Sequence, residues 1–102
     1  MKKKVLIPLF NEYVAPRFDL ATEVLITSVG EGTDSKEKIV MLSKASAEQL
    51  CHMILIERIE VLICGGIEDE YYQYLKWKKV EVLDSVVETW KSALKNYSQN
   101  TL

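Results

Sequence analysis

The side chains best suited to chemistry gather in two short stretches. One is Val14-Ala15-Pro16-Arg17-Phe18-Asp19-Leu20-Ala21, and the other is Cys64-Gly65-Gly66-Ile67. Arg17 supplies a planar cation that can grip an anion, and a thiolate at Cys64 would be a soft metal ligand. Gly65 and Gly66 allow a close backbone approach, and the helix expected to follow them offers unpaired N–H groups to an anion. Each residue also has a plainer reading. Arg17 and Asp19 can pair with one another or pin their loop to the sheet. Phe18 reads as a core plug, Cys64 can be structural, and the two glycines have a turn rationale of their own. Cys51 falls on an apolar helical stripe and reads as a small buried hydrophobe. His52, the only histidine, lies off that stripe and faces solvent; one histidine cannot build a His-rich metal site.

The elements that must carry these residues follow from hydrophobic period. Lys4 to Phe10 is an aliphatic run able to bury both faces, Glu23 to Val29 alternates, and Lys38 to Leu42 is a third strand. Gly30 to Ser35 is turn chemistry, so the second and third strands pair as an antiparallel hairpin. Asn11 opens the long Asn11–Thr22 loop, and a loop of that length in a small domain usually serves a purpose. Ser46 with Gln49 predicts a capped helix to about Arg58, with Ala47, Leu50, Cys51, Ile54 and Leu55 on one stripe. Val61 to Cys64 is a strand covered on both faces. A second helix follows Gly65-Gly66, its first turn carrying Glu68, Asp69 and Glu70 and its end Lys76, Lys78 and Lys79, as the helix dipole favours. Tyr71, Tyr72, Tyr74 and Trp77 crowd this helix, and those off its core stripe could mark a partner surface. Lys79 to Leu83 is a charged edge strand, and Ser85 with Glu88 predicts a capping box for a last helix on Val86, Val87, Trp90, Leu94 and Tyr97.

The order is β-β-β-α-β-α-β-α. It predicts an α/β fold with a mixed five-stranded sheet and the last three strand-to-strand steps parallel. Right-handed crossovers put the first two helices on one face, and the third covers the other. The 102 residues make one domain, with a core over about residues 4–95 and a frayed tail at 98–102.

Composition excludes several classes. Thirteen Lys+Arg against fifteen Asp+Glu give a net charge of −2, unlike the basic field of a nucleic-acid binder. No apolar run approaches the roughly 20 residues of a membrane span, and the run after Lys2-Lys3-Lys4 is too short for a signal peptide. Two cysteines thirteen apart make neither a disulfide scaffold nor a Cys-x-x-Cys pair. Val5 to Phe10 holds no acid to begin a two-metal nuclease centre. Gly-x-Ser-x-Gly, Gly-x-Gly-x-x-Gly and P-loop signatures are absent. The expectation is a cytoplasmic, non-enzymatic domain with neither nucleic acid nor membrane as partner.

The Pro-Arg-Phe-Asp run, the Cys-Gly-Gly-Ile turn and their order within this architecture resemble the dinitrogenase iron–molybdenum cofactor biosynthesis family, of the NifX and NifB C-terminal type. The resemblance covers roughly residues 4 to 95. It implies a ribonuclease-H-like sheet of order 3-2-1-4-5 that binds or carries an iron–sulfur or molybdenum-containing cluster without catalysing a reaction. Partners would be the cluster and its assembly or acceptor proteins. In that order strands one and four are neighbours at the point where the chain order reverses, and ligands bind beyond the carboxyl ends of strands at such a point. The candidate cofactor site is therefore Asn11, Arg17, Asp19, Cys64, Gly65 and Gly66, with Cys64 as metal ligand. The chain departs from the family at Leu20, where many members carry histidine, and at Glu68-Asp69-Glu70, where many continue with glycine. These departures define the alternative, a small interaction or regulatory module that keeps the fold and has lost the cluster.

Overall fold

A computed structural model describes residues 2–30 and 37–99. In chain order these form β1 (Lys2–Phe10), β2 (Tyr13–Val14), a 3-10 turn (Phe18–Leu20), β3 (Glu23–Gly30), β4 (Lys38–Met41), α1 (Ala47–Ile56), β5 (Val61–Ile63), α2 (Asp69–Trp77), β6 (Glu81–Leu83) and α3 (Trp90–Ser98). Most of the turn expected between the second and third strands, and the last three residues of the expected tail, lie outside the described residues.

The result is a mixed six-stranded sheet with three α-helices. Its order is β4-β3-β1-β5-β6, with β2 paired to β1. The strand count differs from the expected five because the Asn11–Thr22 loop contributes β2. Asn11 and Glu12 turn the chain so that Leu9 meets Val14 and Phe10 meets Tyr13. Asn11 takes φ 55°, a left-handed value that asparagine tolerates better than most residues. β3 pairs along β1 from Lys2 to Leu9, whereas β5 leaves it at Leu6, and β2 fills the flank that β5 vacates. Two steps, β1–β5 and β5–β6, are parallel. The third step expected to be parallel, β3–β1, is antiparallel; the connection between them forms β2 and a 3-10 turn rather than a crossover helix.

The pleat sorts the core into two layers. Leu6, Val24, Ile26, Leu62 and Cys64 face α1 and α2, packing with Leu50, Cys51, Ile54 and Leu75. Val5, Ile7, Leu9, Leu25, Val61 and Ile63 face the other way and are covered by Ala93 with Trp90, Leu94 and Tyr97 of α3. Helices thus occupy both faces, divided two and one.

The helix ends show where local signals hold and where tertiary contacts override them. At α1, Ser46 caps as expected, its Oγ accepting from the Gln49 N–H at 3.2 Å. α2 starts later than expected: Glu68 is its N-cap, and Gly65-Gly66 belong to the preceding turn. α3 also starts later. Ser85 sits at φ 61° outside any helix, and Thr89 caps instead, its Oγ1 accepting from the Ser92 N–H at 3.2 Å. Ser85 and Val86 donate their N–H groups to Gly65 and Cys64 carbonyls, at 2.9 and 3.0 Å, and these bonds hold Ser85 in a left-handed conformation rather than the extended one of an N-cap.

Candidate functional site

Three segments meet beyond the carboxyl ends of β1, β5 and β6: the Asn11–Thr22 loop, the turn after Cys64, and the stretch from Asp84 to Thr89. Backbone bonds stitch them together. Gly66 N–H donates to Pro16 O at 2.6 Å and Phe18 N–H to Gly66 O at 2.8 Å; Val14 N–H donates to Glu88 O and Trp90 N–H to Glu12 O, both at 3.0 Å. Pro8 lies two residues beyond the last β1 residue paired with β5. Its carbonyl accepts from Ala15 N–H at 2.8 Å, which folds the loop back over the sheet end. A rim this heavily bonded is a fixed platform, the condition a binding site needs from its scaffold.

The site residues expected from sequence divide between rim and core. Arg17 is exposed, and its Nε and Nη2 donate to the two carboxylate oxygens of Asp19 at 3.1 and 2.8 Å. The bidentate pair joins two residues of the same loop with Arg17 more than half exposed, so its electrostatic contribution to stability is small and an incoming anion can compete for it. Asn11 is the exposed turn residue at the β1–β2 corner. Gly65 is buried under the loop, and a Cβ built there would overlap Ala15 O and stand 2.7 Å from Pro16 O. Gly66 makes the close backbone approach expected of it, but its N–H is engaged by Pro16 and is not free for an anion.

Cys64 corrects the largest expectation. It is 0% exposed and sits in the layer beneath α1 and α2. Burial, and then the Asp84 carboxylate, push its thiol up to about 12, so in the metal-free chain it holds its proton at neutral pH. Cys51, in the same layer, is pushed up to about 11 by burial and then by Glu48. Cys64 will not react with a water-soluble disulfide reagent at about pH 8 in the folded chain and will react in urea; labelling of Cys64 in the native state would contradict this placement. The same shifts set an alkaline limit. Each folded pKa lies above the ordinary 9.0, so the native state holds protons that the unfolded state releases; stability is fully present below about 9 and declines as pH rises toward about 11 for Cys51 and about 12 for Cys64.

Two open grooves flank the stitched backbone, with Phe10 and Pro16 as the wall between them. One, of about 360 Å³, is lined by Arg17, Leu20 and Thr22 beside that wall. The other, of about 440 Å³, runs past Tyr13, Gly66, Ser85, Val87 and Glu88. The sequence reading missed Phe10, Tyr13 and Val87, which stand 62%, 56% and 92% exposed, and Leu20 joins them at 61%. The missed signal was a short apolar crown spread over three segments, with Val87 masked by the false capping box at Ser85.

The donor set decides what could rest here. A cluster bound through Cys64 sulfur does not fit the geometry, because the side chain is fully buried in the layer beneath α1 and α2. No group of three or more His, Cys, Asp or Glu side chains among the described residues could hold a metal ion. The rim offers one exposed cation, Arg17, paired with Asp19, beside exposed apolar side chains. Glu88, also on the rim, is engaged by Asn96 Nδ2 at 2.7 Å. Among the described residues no helix is long and apolar enough to cross a membrane.

No family model and no curated protein sequence matches the chain. Solved structures do. The crystal structure of a protein named PH0822 superposes with a TM-score of 0.85 at 17% identity, over 97% of this chain and 91% of that one. The crystal structure of a "putative dinitrogenase" from Methanocaldococcus jannaschii gives 0.81 at 19% identity, over 100% and 93%. A Thermotoga protein described as a "putative NifB protein" of the DUF35 family, solved by NMR, gives 0.74 at 19% identity, over 97% and 90%. At these identities the likeness is one of fold: a mixed six-stranded sheet covered by three helices, shared from end to end with proteins of those descriptions.

Proposed function

We propose that the chain is a non-catalytic cytoplasmic carrier of the dinitrogenase iron–molybdenum cofactor biosynthesis type, on a ribonuclease-H-like sheet. Its cargo is an iron–sulfur or molybdenum-containing cluster, passed between assembly and acceptor proteins. The observation that carries this reading is the pair of open grooves at the carboxyl ends of β1, β5 and β6, with the displaceable cation Arg17 on their rim. The end-to-end fold likeness to proteins described as dinitrogenase and NifB supports it. The cargo is held through its outer anionic ligands and its flanks, with no bond from protein sulfur to metal.

Anaerobic titration with an iron–sulfur or molybdenum–sulfur cluster, followed by absorption, tests the reading. Wild type binds; Arg17→Ala weakens binding about tenfold, roughly 1.4 kcal/mol; Cys64→Ala binds like wild type. Loss of binding in Cys64→Ala alone would restore a ligating role to that sulfur. Equal binding by wild type and Arg17→Ala would move the site away from the loop.

A second reading is favoured by the crown itself. Phe10, Tyr13, Leu20 and Val87 expose apolar surface on one rim, as a protein-docking module would, and Asp19 already neutralises Arg17. A wild type that binds no cluster under anaerobic conditions would select this interaction module.

A further inference from the structure

α2 carries the surface that the rim does not use. Trp77 is 73% exposed on it, with Tyr74 at 6.3 Å between ring centroids and the Lys78 ammonium 4.6 Å over the indole. Beside it, between α1 and α2, lies a groove of about 430 Å³ whose walls include Glu48, Glu70, Tyr71 and Tyr74. Neither Glu48 nor Glu70 has an ion-pair partner among the described residues. Negative potential reaches the groove wall: the Tyr71 hydroxyl is raised by burial and then by Glu70, Glu48 and Glu68.

We propose that two copies of the chain pair through antiparallel α2 helices, with Trp77 and Lys78 of each copy seated in the acidic, aromatic groove of the other. The occupant is argued from three features. First, knob and hole share one surface: residues 70, 74 and 77 follow the i, i+4, i+7 spacing and form a single stripe. A two-fold axis near Tyr74 then sets Trp77 of one copy opposite Glu70 of its partner, and the same contact recurs on the other side, as an isologous interface requires. Second, charge selects this arrangement. α2 begins on Glu68, Asp69 and Glu70 and ends on Lys76, Lys78 and Lys79, so antiparallel pairing opposes unlike charges and parallel pairing opposes like ones. Third, the groove is lined by both carboxylates and aromatic rings, which is the chemistry that receives an ammonium and an indole together. A nine-residue helix spans only about 14 Å, so the contact falls below the roughly 800 Å² per partner of a standard interface, and the dimer is weak, with a midpoint on the order of 100 μM. None of the rim residues takes part, so the pairing stands apart from the cargo site.

Sedimentation velocity across a dilution series tests it with a charge exchange. Wild type rises from the mass of one chain to that of two. Glu48→Lys with Glu70→Lys stays monomeric, as do Lys78→Glu and Trp77→Ala, each with an unchanged far-ultraviolet dichroism spectrum. An equimolar mixture of the double lysine variant with Lys78→Glu recovers the dimer, because each hole then meets an opposite charge. A wild type that remains monomeric to about 1 mM, a dimer indifferent to these substitutions, or a mixture that stays monomeric would overturn the proposal.

Discussion

Gly65→Ala will lower the stability of the chain by roughly 3 kcal/mol, at the upper end for overpacking, and will shift the urea midpoint with little change in slope. The cause is backbone meeting backbone. The added methyl overlaps Ala15 O, and Pro16 O and C lie 2.7 and 2.9 Å from it. No rotamer change relieves that contact, so the Ala15–Pro16 segment must withdraw. Withdrawal strains the bonds from Gly66 N–H to Pro16 O and from Phe18 N–H to Gly66 O that fix the loop. Gly66→Ala is the internal control. Its Cβ would meet only Pro16 O, at 3.2 Å, and the residue has no positive φ, so a small shift suffices. The entropy removed from the unfolded chain, about 0.4–1 kcal/mol, offsets most of that cost. Equal losses at the two glycines would contradict the close approach assigned to Gly65.

Phe18→Ala will cost about 3–5 kcal/mol, the range for deleting a buried aromatic ring. Phe18 is the one large side chain that the 3-10 turn sends into the core, where it packs in the α1–α2 layer with its ring centroid 6.4 Å from that of Tyr71. Against a total stability of about 5–15 kcal/mol for a domain, the loss is a large share. It also has a local signature. Amide exchange at Phe18 and Gly66, whose N–H groups make the stitch, should accelerate more than exchange at Ala93 in α3, on the opposite face. Uniform acceleration would mean that the ring supports the whole core rather than this corner.

Much of this architecture was legible from period and turn chemistry. The aliphatic runs, the stripe on α1 and the Ser46 cap depend on neighbours in sequence, and those features hold in the structure. What escaped depends on contacts across the chain. A two-residue strand such as β2 has no period to read. Ser85 and Glu88 have the right types for a capping box, but contacts with the Cys64–Gly65 turn hold Ser85 at a left-handed φ of 61°, and the helix waits for Thr89. Phe18 announced its burial through its type alone. Cys64 could have been placed by alternation: Val61 and Ile63 face α3 and Leu62 faces α1 and α2, so the next side chain returns to the two-helix layer. The strand-end position suggested the rim; the pleat put the sulfur inside. The Arg17–Asp19 pairing was one of the alternatives left open by sequence, and the structure displays it.

The central claim is that cargo rests on the stitched rim without a bond to protein sulfur. The most direct test is an anaerobic titration of the isotopically labelled chain with an iron–sulfur or molybdenum–sulfur cluster, read as shifts or broadening of assigned backbone amides. The account predicts changes concentrated at residues 10–22, 64–67 and 84–89, around the two grooves, with Cys64 still protected from labelling in the loaded protein. Changes centred on the α1–α2 groove around His52 and Tyr74, or none at saturating cluster, would contradict it.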